Sequence, residues 1–242
     1  MSGEGLFHVE QTSDGGAGRV PRETQIMSAE LGALDGPGVG AMAPTLTAPS
    51  LASATRAMRE YAGFISHWAT KVNLVSVNDL PYLAQRHILP ALSLRAPICA
   101  VRHANIVDVG SGAGLPAIPL AITLPESQFT LVESRRRRVN FLRHVVRQLR
   151  LTNVQIVGAR IEAWRPSTKA DIVLSRAVTD AENLARLAGH CLAPSGLLLV
   201  TTGPRTANRY IGLRAVLSLQ DDRLKQAQAF LAQPARESHF GG

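Results

Sequence analysis

Apolar residues recur along this chain at two periods, and the change from one to the other divides it. Between Leu51 and Thr70, Met58, Tyr61, Phe64, Ile65 and Trp68 fall three or four apart, which predicts an amphipathic helix. A second helical stripe over Leu80 to Leu94 carries Leu83, His87, Ile88 and Leu92. From Asn105 the pattern alternates: strand 105–109, helix 117–124, strand 128–133, helix 136–150, strands 154–158 and 171–175, helix 180–192 and strand 196–201. That alternation predicts an α/β fold, a parallel sheet with helices on both faces, preceded by a helical segment. Ligands of such sheets lie beyond the carboxyl ends of the strands. Past Pro204, Ile211 to Leu219 and Leu224 to Leu231 read as helical, so no closing pair of strands is expected there.

Composition adds a boundary at each end. Residues 1–50 are rich in Gly, Ala, Pro, Ser and Thr without periodicity and read as a poorly ordered leader, with Met27, Met42 and Met58 as alternative starts. The expected organisation is this leader, a helical segment over 51–96, the sheet-forming core over 97–203 and a divergent segment over 204–242. With 242 residues, 45% of them hydrophobic, the chain can bury a full core. Its apolar runs are too short for a bilayer, and Cys99 and Cys191 form neither a Cys-x-x-Cys pair nor a zinc pattern, so a cytosolic protein is expected. The leader holds two arginines against six acids, so the rest of the chain carries a net +12 although the total is +8. A body that basic favours a polyanionic partner.

The candidate chemistry centres on Asn105-Ile-Val-Asp-Val-Gly-Ser-Gly-Ala-Gly-Leu-Pro-Ala-Ile-Pro119. A buried strand enters a turn whose Gly110, Gly112 and Gly114 leave room for a ligand against the backbone, and a helix follows with its N–H groups toward that ligand. The third glycine comes one residue too early for a dinucleotide-binding Gly-x-Gly-x-x-Gly. The second strand ends in Glu133, placed to accept hydrogen bonds from ribose hydroxyls. A glycine turn and a ribose carboxylate without a phosphate lysine point to S-adenosyl-L-methionine.

Seven segments in order then resemble one family. They are Lys71-Val-Asn-Leu-Val-Ser, Arg86-His87-Ile-Leu, the Asp108 to Pro119 turn, Thr130-Leu-Val-Glu-Ser134, Arg138-Val-Asn-Phe-Leu-Arg143, Ala159-Arg-Ile-Glu162 and Ser175-Arg-Ala177. Together the segments, spread over roughly residues 56–203, resemble the glucose-inhibited division protein B family, bacterial small-subunit ribosomal RNA guanine-N7 methyltransferases. The resemblance implies that the core over 97–203 is a Rossmann-like methyltransferase sheet, with a cofactor held by Gly110, Gly112, Gly114, Leu115 and Glu133. It puts Ile161 and Glu162 on the adenine side and Arg176 at the end of the fourth strand. It also implies 16S ribosomal RNA or the small subunit as partner; no membrane association is expected from the short apolar runs, and the oligomeric state stays open with a monomer favoured.

Guanine N7 has a free lone pair and no proton, so its methylation asks for placement and no catalytic base. Arg176 and His87 are the orienting candidates, and Arg86, on the base-side wall with His87, is an RNA-binding candidate. Arg135, Arg136, Arg137 and Arg138 open a helix where positive charge is disfavoured, so a compensating anion, RNA phosphate among the choices, is expected there. No aromatic interleaving is visible around them. Each has a structural reading too: Asp108 can bind the turn's own amides, His87 sits on an apolar stripe, and charge runs are usually solvated faces. His144 and His190 have no assigned role.

The chain departs from the family at Thr202, where a lysine is expected, at Pro90-Ala91, at Ala117 and in the C-terminal segment. An RNA-binding protein that keeps the fold without transfer activity is the alternative. A nicotinamide-dependent oxidoreductase is disfavoured by the glycine spacing and by the lack of a Tyr-x-x-x-Lys relay.

Overall fold

The structure, a computed structural model, describes residues 48–176, 181–201, 213–219 and 227–232. Most of the expected leader, residues 1–47, and the departure at Thr202 therefore lie outside the described residues.

Seven strands form one sheet: β1 (Asn105–Val109), β2 (Gln128–Val132), β3 (Val154–Val157), β4 (Ala170–Arg176), β5 (Leu192–Thr201), β6 (Leu213–Leu219) and β7 (Ala227–Ala232). Their order is β3-β2-β1-β4-β5-β7-β6, with β1 to β5 parallel and β7 antiparallel to both β5 and β6. Order reverses at β1, between β2 and β4, so the crevice at a topological switch point falls where the glycine turn leaves β1.

The helices are α1 (Ala48–Ala69), α2 (Leu89–Leu92), α3 (Arg95–Cys99), α4 (Ala117–Thr123), α5 (Arg136–Gln148) and α6 (Ala181–Ala188). Strand alternation sorts the core into two layers. Ile106, Phe129, Leu131, Ile172, Leu174 and Leu199 face one layer, filled from α1, α4 and α5 by Met58, Tyr61, Ile65, Ile118, Leu120, Phe141 and Leu142. Val107, Val109, Val132, Val173, Leu198 and Val200 face the other, where α6 supplies Leu184 and Ala188. Leu142 and Val145 are fully buried on the inner face of α5.

Two expectations about elements are corrected. The second prelude helix is broken: a 3-10 turn over Val77–Tyr82 contains Pro81, a π-helical turn over Ala84–Ile88 follows, and α2 begins with Pro90 in its first turn. Proline removes a backbone donor and crowds the preceding turn, which divides the run. The C-terminal segment, read as helical, instead supplies β6 and β7 and completes the sheet. Leu197 to Thr201 of β5 offer a long open edge, and pairing on it overrides the helix preference of Ala-, Leu- and Gln-rich sequence.

Candidate functional site

The carboxyl ends of β1 and β2 build the site from backbone outward. Gly110, Gly112 and Gly114 have φ of 70, 58 and 87°, values that a side chain resists and glycine tolerates. The turn is fastened by the Gly110 N–H to the Val132 carbonyl at 2.9 Å and the Gly114 N–H to the Ser111 carbonyl at 2.6 Å. Its glycines divide their work. A Cβ on Gly112 would meet nothing closer than 3.7 Å, whereas one on Gly114 would stand 2.5 Å from Ile118 and 3.1 Å from Leu142. Gly114 thus serves close packing of the turn on α4 and α5, whereas a Cβ at Gly112 would sit in ordinary van der Waals contact with Arg138 and the Gly110 carbonyl.

Glu133 closes the turn. It is 4% exposed, and its carboxylate accepts from the Gly112 N–H at 3.0 Å and from the Arg135 N–H at 2.8 Å. Arg135 is the N-cap of α5, so this buried carboxylate is an anion at the helix N-terminus that the arginine run requires. The first free N–H of α4 is less available than expected, because Ile118 donates to the Gly114 carbonyl at 2.7 Å and Pro116 has no N–H.

Asp108 is the residue that sequence reasoning undervalues. It is 1% exposed, and its Oδ2 has no hydrogen-bond partner among the described residues. The turn's own Ser111 hydroxyl donates to the Asp108 carbonyl at 3.0 Å, not to this oxygen. Burial pushes the carboxyl up to about 7, Glu133 adds to the rise, and Ser111 and Arg176 oppose it. The signal available in the sequence is its place, a lone acid inside an apolar strand.

The prelude is fixed to this rim. Tyr61 of α1, fully buried, donates its hydroxyl to the Ala113 carbonyl at 2.7 Å, and desolvation holds its pKa well above the ordinary value. Arg138 turns inward, donating to the Asn73 carbonyl at 3.0 and 2.7 Å and lying 3.8 Å from Glu133. It staples prelude to sheet, while Arg135, Arg136 and Arg137 stay exposed.

Arg176 and His87 meet. The Arg176 guanidinium donates to His87 Nδ1, which leaves the proton on Nε2, and Nε2 faces Asp79 Oδ2 at 3.1 Å. Burial lowers the His87 pKa, Arg176 lowers it further, and Asp79 partly opposes both. Burial also lowers that of Arg176. His87 is therefore a neutral acceptor that aims Arg176, and the π-helical turn carries it there, a feature often found at functional sites. Arg86 takes the outer oxygen of Asp79 at 2.5 Å and stacks 4.5 Å from the Tyr82 ring. It is committed to these neighbours.

Ile161 is buried in one apolar cluster with Val109 and Val132, and Glu162 beside it is exposed. Leu115 is buried in the first core layer. Among the described residues no cluster of His, Cys, Asp and Glu can hold a metal, and no helix is long and apolar enough to cross a membrane.

The Rossmann-like fold is shared with solved structures. The structure of MtNAS in complex with MTA and tNA aligns over 76% of this chain and 71% of its own, with TM-score 0.52 and 15% identity. In sequence, the chain is 39% identical over 135 residues to the ribosomal RNA small subunit methyltransferase G of Stutzerimonas stutzeri. It is 32% identical over 158 residues to that of Legionella pneumophila strain Corby. The matched stretches cover 56% and 65% of this chain and span 62% and 74% of those relatives' own length. A model of the family described as rRNA small subunit methyltransferase G matches residues 54–238, and the chain belongs to that family.

Proposed function

We propose that the chain transfers a methyl group from S-adenosyl-L-methionine to a guanine N7 of 16S ribosomal RNA. The observation that carries the cofactor half is the buried Asp108 carboxyl, its Oδ2 unpaired, at the base of a turn whose glycines all have positive φ, which fits a cationic, ribose-bearing group at the rim. Asp108 would neutralise its positive charge and Glu133 would take the ribose hydroxyls, with Gly110 and Gly112 giving backbone room. Gly114 and Leu115 would hold the turn's shape, and Ile161 with Glu162 would line the adenine side. Bound S-adenosyl-L-methionine supplies an electrophilic methyl group on a sulfonium.

The protein's own residues have a positioning task. Guanine N7 attacks with an in-plane lone pair, so no side chain has to remove a proton. Arg176, held by His87 and through it by Asp79, donates toward guanine O6 and leaves the N7 lone pair free to attack. Orientation of this kind supplies on the order of 7–11 kcal/mol when geometry is held. Arg136 and Arg137, exposed at the start of α5, meet RNA phosphate, and a cytosolic setting where ribosomal RNA is assembled follows from that substrate.

The test is labelled-methyl transfer to small ribosomal subunits that lack N7-methylguanine, with the product base identified by mass. A single N7-methylguanosine is the expected result. A folded protein that holds the cofactor and transfers nothing would favour an RNA-binding role without catalysis.

A further inference from the structure

One group of side chains takes no part in the rim. Trp68 of α1 stands 5.5 Å from His144 of α5, at 40° between ring planes, and Phe64 and Phe141 pack edge-on to the pair at 5.2 and 5.6 Å. Beside them is a surface hollow of about 370 Å³ lined by Trp68, Asn140, Arg143, His144 and Arg147. The sequence conceals this because Trp68 and the arginines are some 75 positions apart; packing of α1 against α5 brings them together.

Arg136, Asn140, Arg143 and Arg147 follow one another at helical spacing and form a single exposed stripe. At about 1.5 Å rise per residue it runs some 16 Å away from the methyl-donor rim. α5 holds no acid, and among the described residues no ion pair engages Arg143 or Arg147. Arg143 and Arg147 are one turn apart, close to the spacing of neighbouring phosphates on an extended strand. Cations in register with an aromatic ledge make a pattern that single-stranded nucleic acid fits, because phosphates meet the arginines and an unpaired base stacks on the ring. A duplex keeps its base faces covered and cannot use the ledge.

We infer that the outer face of α5 is a track for an unpaired stretch of the RNA substrate, with Arg143 and Arg147 on its phosphates and Trp68 with His144 under one of its bases. This rests on the reading of the chain as an RNA methyltransferase and locates how the strand leaves the rim.

The experiment uses the full chain and an unstructured RNA oligonucleotide of about 12 nucleotides, with affinity followed across salt concentration. Arg143→Gln with Arg147→Gln is expected to weaken binding tenfold or more at low salt and to reduce the salt slope by about 1.4, roughly 0.7 for each phosphate no longer neutralised. Its affinity for S-adenosyl-L-methionine, measured by calorimetry, stays at the wild-type value. In a Trp164→Phe background, emission from Trp68 is quenched when the oligonucleotide binds. An unchanged slope in the double variant, or emission that ignores the RNA, would overturn the track. Methyl transfer by the wild type decides the catalytic reading separately: RNA binding through this stripe without transfer would sink that reading and leave the track standing.

Discussion

At the rim of the sheet two carboxylates are almost completely buried, and on the outer face of α5, a few turns away, two arginines are open to water. Burial raises the Asp108 carboxyl to about 7, and the Glu133 carboxylate is occupied by backbone N–H groups. Arg143 and Arg147 have no such constraint and act as point charges subject to salt. Arg138 joins the two regions, on the same helix as the track yet turned inward onto Asn73 and Glu133. The difference teaches that a run of like charges is not one functional unit. Burial decides which member positions a site and which meets a partner.

The sharpest way to break the rim is through packing. Gly114→Ala adds a Cβ 2.5 Å from Ile118 at φ 87°, so overpacking and left-handed strain combine. Denaturant unfolding should show a loss of about 2–5 kcal/mol. Gly112→Ala has room at 3.7 Å and carries only the strain, about 1–2 kcal/mol. It should nonetheless lose more cofactor affinity per unit of stability lost than Gly114→Ala. Equal ratios for the two would remove the division of labour within the turn.

Asp108 gives the next effect, and its sign can be worked out. Its carboxyl is raised from 3.8 to about 7 in the folded chain, so between those values the native state binds more protons than the unfolded one. Stability from this group is full below about pH 4 and falls as pH rises to about 7, by at most about 4 kcal/mol. Asp108→Asn removes that decline, so the variant should melt higher than the wild type at pH 8 and lose the advantage toward pH 4. A bound cation favours the ionised acid, so affinity for S-adenosyl-L-methionine should fall below pH 7, up to about tenfold per unit. In Asp108→Asn that dependence flattens and affinity at pH 8 drops. A variant whose binding keeps the wild-type pH profile would take Asp108 out of the site.

Much of the rim is legible in the sequence because it is local. A strand, three glycines and an acid at the next strand's end lie within Asn105 to Glu133, and each leaves a mark in its own segment. The sheet from β1 to β5 is readable for the same reason, through periodicity. Non-local relations are not readable. The pairing of β7 on β5 depends on an edge supplied by residues 192–201, and Ala227–Ala232 taken alone favours a helix. The aim of Arg176 depends on a π-helical turn 89 positions earlier, and the Trp68 ledge on two helices brought side by side. Asp108 is visible as a residue but not as an unpaired one, since partners are a property of the fold.

The smallest effect expected is at Asp79, and it tests whether positioning at the rim extends outward through His87. Asp79 binds both Arg86 and His87, and these hydrogen bonds hold its own carboxyl below the usual range. If its role is to keep the His87 proton on Nε2, Asp79→Ala frees the ring to rotate or change tautomer and loosens Arg176. Methyl transfer should fall about two- to tenfold, with cofactor affinity unchanged. Asp79→Asn, which still offers an oxygen to Nε2–H, should recover most of that loss, whereas Arg86→Ala, on the solvent side of the same carboxylate, should cost little. The pH profile separates this from Asp108. His87 lies below the ordinary 6.5, so its protonation, which turns an acceptor for Arg176 into a competing cation, lowers turnover only on the acid side of that value. Cofactor affinity, governed by Asp108, begins to fall nearer 7. Two acid limbs, one in turnover at saturating cofactor and one in affinity, are the expected result. A single shared limb would mean that the Asp79–His87–Arg176 chain is structural support and that the rim ends at Asp108 and Glu133.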